Sequence, residues 1–581
     1  MRAGMCALEQ ASRDRLAAIA PVYRASARNL LHFIALHRHH HAGLADQLHR
    51  FGLSSLAGSD PHVMASLDAV LTALAALQGE VPSATAPELT SADLMASHCS
   101  LLFGPSPTGP GIMVTLPAEA AQDDEATGLI HHLLGAGMTL ARINCAHDDA
   151  WTWQELARRV RSRSAALGCP CRIAVDLAGP KLRTGALPSL EGVIRVRPAR
   201  DRYGRLLEPA LVLATHQPSC CPASPGAVVL PVEAESWQSF QPGECLFGAD
   251  ASGRHREFLV EAVEPWGLRL RADQGCRLVA GLRFLGGDQR QLVVAPLPAE
   301  PGALVLKPGD QLWLLGDAVV GGEEIPSIAC SLPELIPLIG RGERVMFDDG
   351  KITAVVQEPG RDRLLLQVTA ARGGKARLRG DKGINFPDST LHTPALTAKD
   401  IDDLEFAVVA GDIVNFSFVH SPADITALHR ELHRHRRDDL AVVLKIETRQ
   451  AYEGLPELLL EAMRYPAPLG VMIARGDLAV ECGWEALAQI QHDILRLCAA
   501  AHVPCIWATQ VLDELARHGL PTRAEITDAA IGAQAHALML NKGPNITAAV
   551  RALRAITQGT RRASRSDRLV SCLAYRSNCP A

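Results

Sequence analysis

Hydrophobic spacing changes character along the chain. Over residues 1–80, apolar side chains recur at helical intervals: Leu30, Leu31, Phe33, Ile34 and Leu36, then Val63, Leu67, Val70, Leu71 and Leu74. This period predicts helices. Residues 81–110 thin out into Pro, Ser, Thr and Gly (VPSATAPELTS, then FGPSPTGPG) and read as a linker. Short β-branched runs then alternate with amphipathic stretches. Ile112–Leu116 reads as a strand, followed by a helical pattern over 125–135. Met138–Cys145 is a second strand, with Arg142 and Asn144 on one face, and a helix follows near 151–166. Cys171–Leu177 is a third, ending at Asp176 and running into the turn Ala178–Gly185. Strand-then-helix alternation predicts a parallel sheet.

From about 186 to 383 that rhythm stops. Val/Leu runs stand between Gly, Pro and Asp turns (GAVVLPVE, PGDQLWLLG, DRLLLQVTA), the pattern of an all-β insertion. Alternation resumes at Ile413–Val419, 441–447, 469–475, Pro504–Thr509 and His536–Asn541. Three strands before the insertion and five after it make eight, the number that closes a (β/α)8 barrel. Past about Gly559 the chain turns polar and basic (TRRASRSDR) and reads as a fraying tail.

Composition narrows the function classes. A chain of 581 residues is too long for one core and calls for two to four domains. A net charge of −5 with no basic stripe interleaved with aromatics gives no reason to expect a nucleic-acid partner. No apolar run reaches the roughly 18–20 residues that span a bilayer, and the N-terminus has no signal-peptide core, so no membrane partner is expected. The 15 cysteines lack metal-type C-x2-C pairs and read as reduced cytoplasmic thiols. His37, His39, His40 and His41 cluster, but they specify no ligand geometry and read as a solvated helix end.

The chemistry gathers at two strand ends. In AVVLKIE (441–447), alternation puts Lys445 and Glu447 on one face; in GVMIARGDLAVE (470–481), Arg475, Gly476 and Asp477 leave the strand. Charges at the C-terminal ends of buried parallel strands are where such barrels keep their active sites. Two carboxylates and an ammonium suit a hard divalent cation and an anionic substrate.

Eight blocks in order, ARINCAH (141–147), VDLAGPKLRTG (175–185), KGINF (382–386), SFVHSPADI (417–425), KIE (445–447), MIARGDLAVE (472–481), ATQVLDEL (508–515) and PTRAEITDAA (521–530), resemble the signature blocks of pyruvate kinases. The likeness covers roughly 110–185 and 380–558. It implies a TIM barrel with an all-β lid domain inserted after strand three, preceded here by an N-terminal helical extension. The implied organisation is extension and linker 1–105, barrel 106–185 and 384–560, lid 186–383 and tail 561–581. The implied reaction is transfer of the phosphoryl group of phosphoenolpyruvate to ADP, giving pyruvate and ATP in glycolysis, in a cytoplasmic homo-oligomer. Alternatives are a phosphotransferase or lyase acting on another enolate or keto acid, or a non-catalytic relative.

By the resemblance, Glu447 and Asp477 are ligands of Mg2+ or Mn2+. Lys445 faces the transferring phosphoryl group, Arg142 binds phosphate, and Thr509 stands where a proton reaches the enolate. The backbone at Ala474, Arg475, Gly476 and Asp477 holds the substrate carboxylate, and His147, Arg183 and Lys382 belong to the nucleotide side. Members that need K+ hold it with Asn, Ser, Asp and Thr. Here Asn144 and Asp176 remain, but the Ser position is Ala146, the Thr position Leu177, and the usual Glu is Lys181. An ammonium at Lys181 replacing the cation implies turnover without K+. After strand eight the family's MLS-GETA is Met539-Leu540-Asn541-Lys542-Gly543-Pro544, so the relay serine is Asn541, which cannot pass a proton as a hydroxyl does. The family's C-terminal regulatory domain is not expected in the few residues after the last barrel helix, and the lid is larger than is common.

Overall fold

The computed structural model describes residues 1–564 apart from 39–41, 55, 57, 80–89, 106–108, 222–223, 225, 235, 288–289, 317–323, 390 and 392. His39, His40 and His41, residues 81–89 and 106–108 of the predicted linker, and the basic tail from 565 lie outside the described residues. The described chain forms two compact units, one built of 1–182, 337–359 and the described residues from 383 onward, the other of 183–336 and 360–382.

The first unit is a TIM barrel. Its strands are β1 (Gly111–Thr115), β2 (Leu140–Asn144), β3 (Arg172–Asp176), β4 (Ile413–Phe416), β5 (Ala441–Ile446), β6 (Leu469–Ala474), β7 (Cys505–Ala508) and β8 (Ala537–Leu540), closed in that order with β8 parallel to β1. Most read as largely apolar runs because both of their faces are covered. One face points outward to the helices (Ile112, Val114, Ala141, Ile143, Val442, Leu444). The other fills the barrel (Met113, Leu140, Ala174, Val443, Met472, Ile506). The predicted fourth strand ran to Val419; the observed one stops at Phe416, because Phe418 takes a left-handed conformation (φ 54°) and turns the chain.

The linker reading of 81–110 fails over Ser91–Phe103, which is an α-helix. Thr90 and Asp93 close a capping box at its start, satisfying the first free N–H groups. Leu102 and Phe103 enter the barrel's inner cluster. Arg172, at the start of β3, donates to the carbonyls of Leu101 (2.8 Å) and Leu102 (3.2 Å). The earlier helices, among them Arg24–His37 and Val63–Leu77, dock on the barrel's outer layer. The Tyr23 hydroxyl donates to Ala467 O (2.8 Å) and accepts from Leu469 N (2.9 Å), and Asn29 donates to Ala500 O (2.8 Å). A hairpin of Arg344–Phe347 and Ile352–Glu358, with Ile384–Asn385 beside it, belongs to this unit.

The second unit lies between β3 and β4 in sequence and is built of strands, as the turn-rich pattern predicts. Seven strands from Ala210–Thr215 to Gln291–Val293 form one sheet, whose core includes Leu246, Leu270 and the edge-on pair Phe258–Phe284 (5.0 Å). The pair Ile194–Val196 and Cys276–Leu278 contributes Val196, Cys276 and Leu278 to the same core. Gln311–Leu315 pairs with Ser327–Ala329 and with Arg363–Ala371.

Candidate active site

At the C-terminal ends of β2, β3, β4 and β5, side chains of alternating charge interlock. Asp176, closing β3, is 1 % exposed and is the hub. Its Oδ2 lies 2.5 Å from Arg142 Nη2 and 3.2 Å from Lys445 Nζ, and its Oδ1 accepts from Asn415 Nδ2. Lys445 Nζ also reaches Glu447 Oε1 (3.1 Å) and donates to Ser417 Oγ (2.7 Å). Lys445 and Glu447 thus share one face of the β5 end, as alternation requires. Glu447 Oε2 accepts from Phe418 N (2.6 Å), which fixes the turn that ends β4. Ser417 Oγ in turn donates to Leu177 O (2.6 Å).

Burial alone would push the Asp176 carboxyl up, yet Arg142, Lys445 and Asn415 outweigh it and hold it well below the usual carboxylate range. Desolvation likewise opposes the charge of Lys445, and the carboxylates of Glu447 and Asp176 overcome it, so its ammonium is held above the ordinary lysine value. Glu447 moves the other way. Burial and the nearby Asp477 raise its carboxyl, with Lys445, Phe418 N–H and Lys181 only partly compensating.

Asp477 stands in the first turn of the helix Arg475–Cys482, which starts directly after β6, and pairs with Lys181 (2.7 Å). Lys181 is held charged against its own burial by Asp477, Glu447 and Asp349. The residue read as a monovalent-cation substitute is therefore fastened to Asp477, while Asp176 is occupied by Arg142, Lys445 and Asn415, and Asn144 Oδ1 accepts from Ala146 N (3.2 Å). The helix has no side-chain cap at Ala474, and the N–H groups of its first turn have no partner within the helix. The Arg475 side chain is already engaged: it donates to Ala508 O (2.8 Å) and Thr509 O (2.6 Å), forks onto Asp528 and lies 4.5 Å over the Trp507 ring. Thr509 follows β7 in a left-handed conformation (φ 72°), and its methyl would stand 2.9 Å from any Cβ at 476, so only glycine fits there.

The structure thus gathers Arg142, Asp176, Lys445 and Glu447, links Glu447 electrostatically to Asp477 and Lys181, and sets Thr509 against Gly476. His147 is exposed on the loop after β2. Arg183 and Lys382 belong to the second unit, where Arg183 pairs with Asp381 (3.3 Å) and Lys382 N donates to Thr184 Oγ1 (2.9 Å). Asn541 is partly buried beyond β8. Sequence reasoning missed Thr115, which accepts from Arg142 Nη1 (2.9 Å), and also Asn415, Ser417 and Asp528. Ser417 and Asp528 lay inside the quoted blocks without a role. A cavity of about 520 Å3 adjoins these loops, lined by Lys181, Leu182, Asn385, Phe418, Arg449 and Glu481. Burial raises the Glu481 carboxyl, which accepts from Asn385 (3.0 Å).

Residues 298–544 match the family model described as pyruvate kinase, barrel domain. Over this stretch the chain is similar to the barrel of pyruvate kinases. The chain is 31% identical over 232 residues to the pyruvate kinase of Bacillus licheniformis, a stretch covering 40% of this chain and 38% of that one. It is 33% identical over 232 residues to the pyruvate kinase of Geobacillus stearothermophilus, with the same coverage. It is 37% identical over 190 residues to that of Mycobacterium intracellulare, covering 32% of this chain and 38% of that one. The chain thus spans about two fifths of the length of the curated pyruvate kinases it matches. β1, β2 and β3, with Arg142 and Asp176, precede the matched stretch. Among the described residues no helix is long and apolar enough to cross a membrane.

No group of three or more His, Cys, Asp or Glu side chains placed to hold a metal occurs among the described residues. A site for Mg2+ does not require one, because that ion takes one or two protein carboxylates and completes its shell with water and substrate phosphate. Glu447 and Asp477 fit this donor set. Burial, and after it the charge of Asp477, raise the Glu447 carboxyl, and a bound cation would offset both.

Proposed function

We propose that the barrel transfers the phosphoryl group of phosphoenolpyruvate to ADP. The observation that supports this most is the Lys445 ammonium, buried, charged and held between Asp176 and Glu447 at the strand ends. In the reaction the P–O bond to the enol oxygen breaks, and a new P–O bond forms to a terminal oxygen of ADP. The enolate left behind takes a proton on carbon and becomes pyruvate. Charge on the phosphoryl oxygens during transfer is best met by cations that need no reorganisation. Lys445 is one. Arg142 is the other: Thr115 and Asp176 occupy its Nη atoms, and its buried Nε–H lacks an acceptor that a phosphate oxygen would provide. The uncapped N–H groups after Ala474 receive the substrate carboxylate. Thr509 orders the proton donor at the enolate, and His147 serves the nucleotide. Glu447 and Asp477 would hold Mg2+ or Mn2+, which when bound neutralises charge on substrate oxygens. Lys181, already on Asp477, makes K+ dispensable.

A second reading, a phosphotransferase or lyase for another enolate or keto acid on the same barrel, is favoured only by Asn541 in place of the relay serine. An assay that reduces the pyruvate formed with lactate dehydrogenase, run with phosphoenolpyruvate and ADP, decides between them. Turnover that requires Mg2+ and persists in tetramethylammonium buffer is expected. No pyruvate under any cation condition would transfer the case to the second reading.

A further inference from the structure

The second unit carries a charged feature that the barrel chemistry does not use. Residues 194–205 read IRVRPARDRYGR, five arginines in twelve positions. Alternation sends Val196, Cys276 and Leu278 into the core and turns Arg195, Arg197 and Arg277 outward. Arg195 stands directly across the antiparallel ladder from Arg277. Like charges so placed destabilise a strand pair, and such a breach of a local rule marks a site kept for something other than folding.

These residues do not stand alone. Arg195, Arg197, Arg254, Arg256 and Arg277 line one concavity of about 350 Å3. Its wall contains Asp250, whose side chain is 2 % exposed. That carboxylate is fully used: it accepts from Arg256 Nε (2.9 Å), Ser252 N (2.9 Å), Ser252 Oγ (2.5 Å) and Arg254 N (3.2 Å). It thereby fixes the turn that presents Arg254, and Ala251 N donates to Arg277 O (2.9 Å), tying that turn to the arginine ladder. Arg195, Arg197, Arg254 and Arg277 remain exposed, and among the described residues none has a carboxylate partner. Five guanidinium groups thus face one saturated carboxylate.

We propose that this concavity binds a small polyanion, a molecule carrying two or more phosphoryl groups. Guanidinium forks match phosphate oxygens two at a time, and a bound polyanion removes the repulsion between Arg195 and Arg277. The volume is at the small end of ligand cavities. A nucleic-acid face would offer stacking aromatics. The one aromatic of the arginine-rich run, Tyr203, is instead covered by Arg202 (4.7 Å) and Arg205 (5.8 Å).

The test is calorimetric titration of the full chain with inorganic pyrophosphate, without divalent cations. One saturable site is expected, weakened by added salt, weakened about tenfold or more by Arg195→Ser with Arg277→Ser, and unaffected by Lys445→Met. Without pyrophosphate the double variant is expected to melt no lower than the parent, since it has lost a repulsion. Four results would overturn the assignment: no saturable binding; loss of binding in Lys445→Met, which would send the anion to the barrel; a double variant that melts lower, which would make the arginines structural; and tighter binding of single-stranded RNA that grows with its length.

Discussion

Two ends of one barrel are filled with opposite materials. At the N-terminal ends of the strands, Leu102 and Phe103 join Met113, Leu140, Ala174 and Ile413 in an apolar plug. At the C-terminal ends, Arg142, Asp176, Lys445 and Glu447 occupy the interior, each engaged in hydrogen bonds or ion pairs, with the charges of Asp176 and Lys445 favoured against their burial. The plug contributes stability and has no chemistry to perform. The charged end carries the proposed chemistry, and at one of its members, Glu447, burial and the nearby Asp477 disfavour the charged form. Stability and the proposed chemistry thereby fall to different residues on the same strands.

That division can be broken by substitution. Lys445→Met should lower kcat in the phosphoenolpyruvate assay by about a thousandfold, the scale expected when one preorganised charge stabiliser is removed. Unchanged activity would place the chemistry elsewhere even with the barrel intact. Leu102→Ala should lower unfolding free energy in denaturant titrations by about 3 kcal/mol and leave kcat/KM of the folded enzyme unchanged. If it cut activity as deeply as the lysine variant, the two ends would not be separable.

Glu447→Gln sharpens the contrast. Because its folded pKa is raised, the folded chain binds a proton more readily than the unfolded one above the ordinary glutamate value of about 4.3. The parent's stability therefore falls as pH rises through that window. The amide variant, spared this loss, should melt higher than the parent near neutral pH, lose that advantage toward acid, and turn over severely more slowly. The smallest effect concerns Lys181: exchanging K+ for tetramethylammonium should leave turnover unchanged in the parent, while Lys181→Glu should make turnover respond to K+.

What the sequence revealed follows from what hydrophobicity encodes. Runs such as GIMVT, AVVLKI and LGVMIA announced strands because a closed barrel buries both of their faces. Lys445 and Glu447 were legible as partners because they lie on one strand face. The end of β4 was not legible: Ser417-Phe418-Val419 is apolar enough to continue a strand, and the left-handed turn depends on Glu447 accepting from Phe418 N, a contact 29 residues away in sequence. Lys181 and Asp477 are separated by 296 residues, and no local pattern joins them. The helix Ser91–Phe103 hid within a stretch whose composition suggested a linker, although Thr90, Asp93 and the final Leu101-Leu102-Phe103 were signals in plain view. The opposed arginines of the second unit required strand register, which composition does not carry.

Tyr23 sets the order in which this molecule can mature. Its hydroxyl bridges Ala467 and Leu469, the first of them 444 positions further along the chain. During synthesis the early helices leave the ribosome long before their landing place exists, and their apolar faces must be shielded until β6 emerges. Fastening of this early segment is therefore a late event of assembly, and a contact so distant in sequence belongs to slow folding.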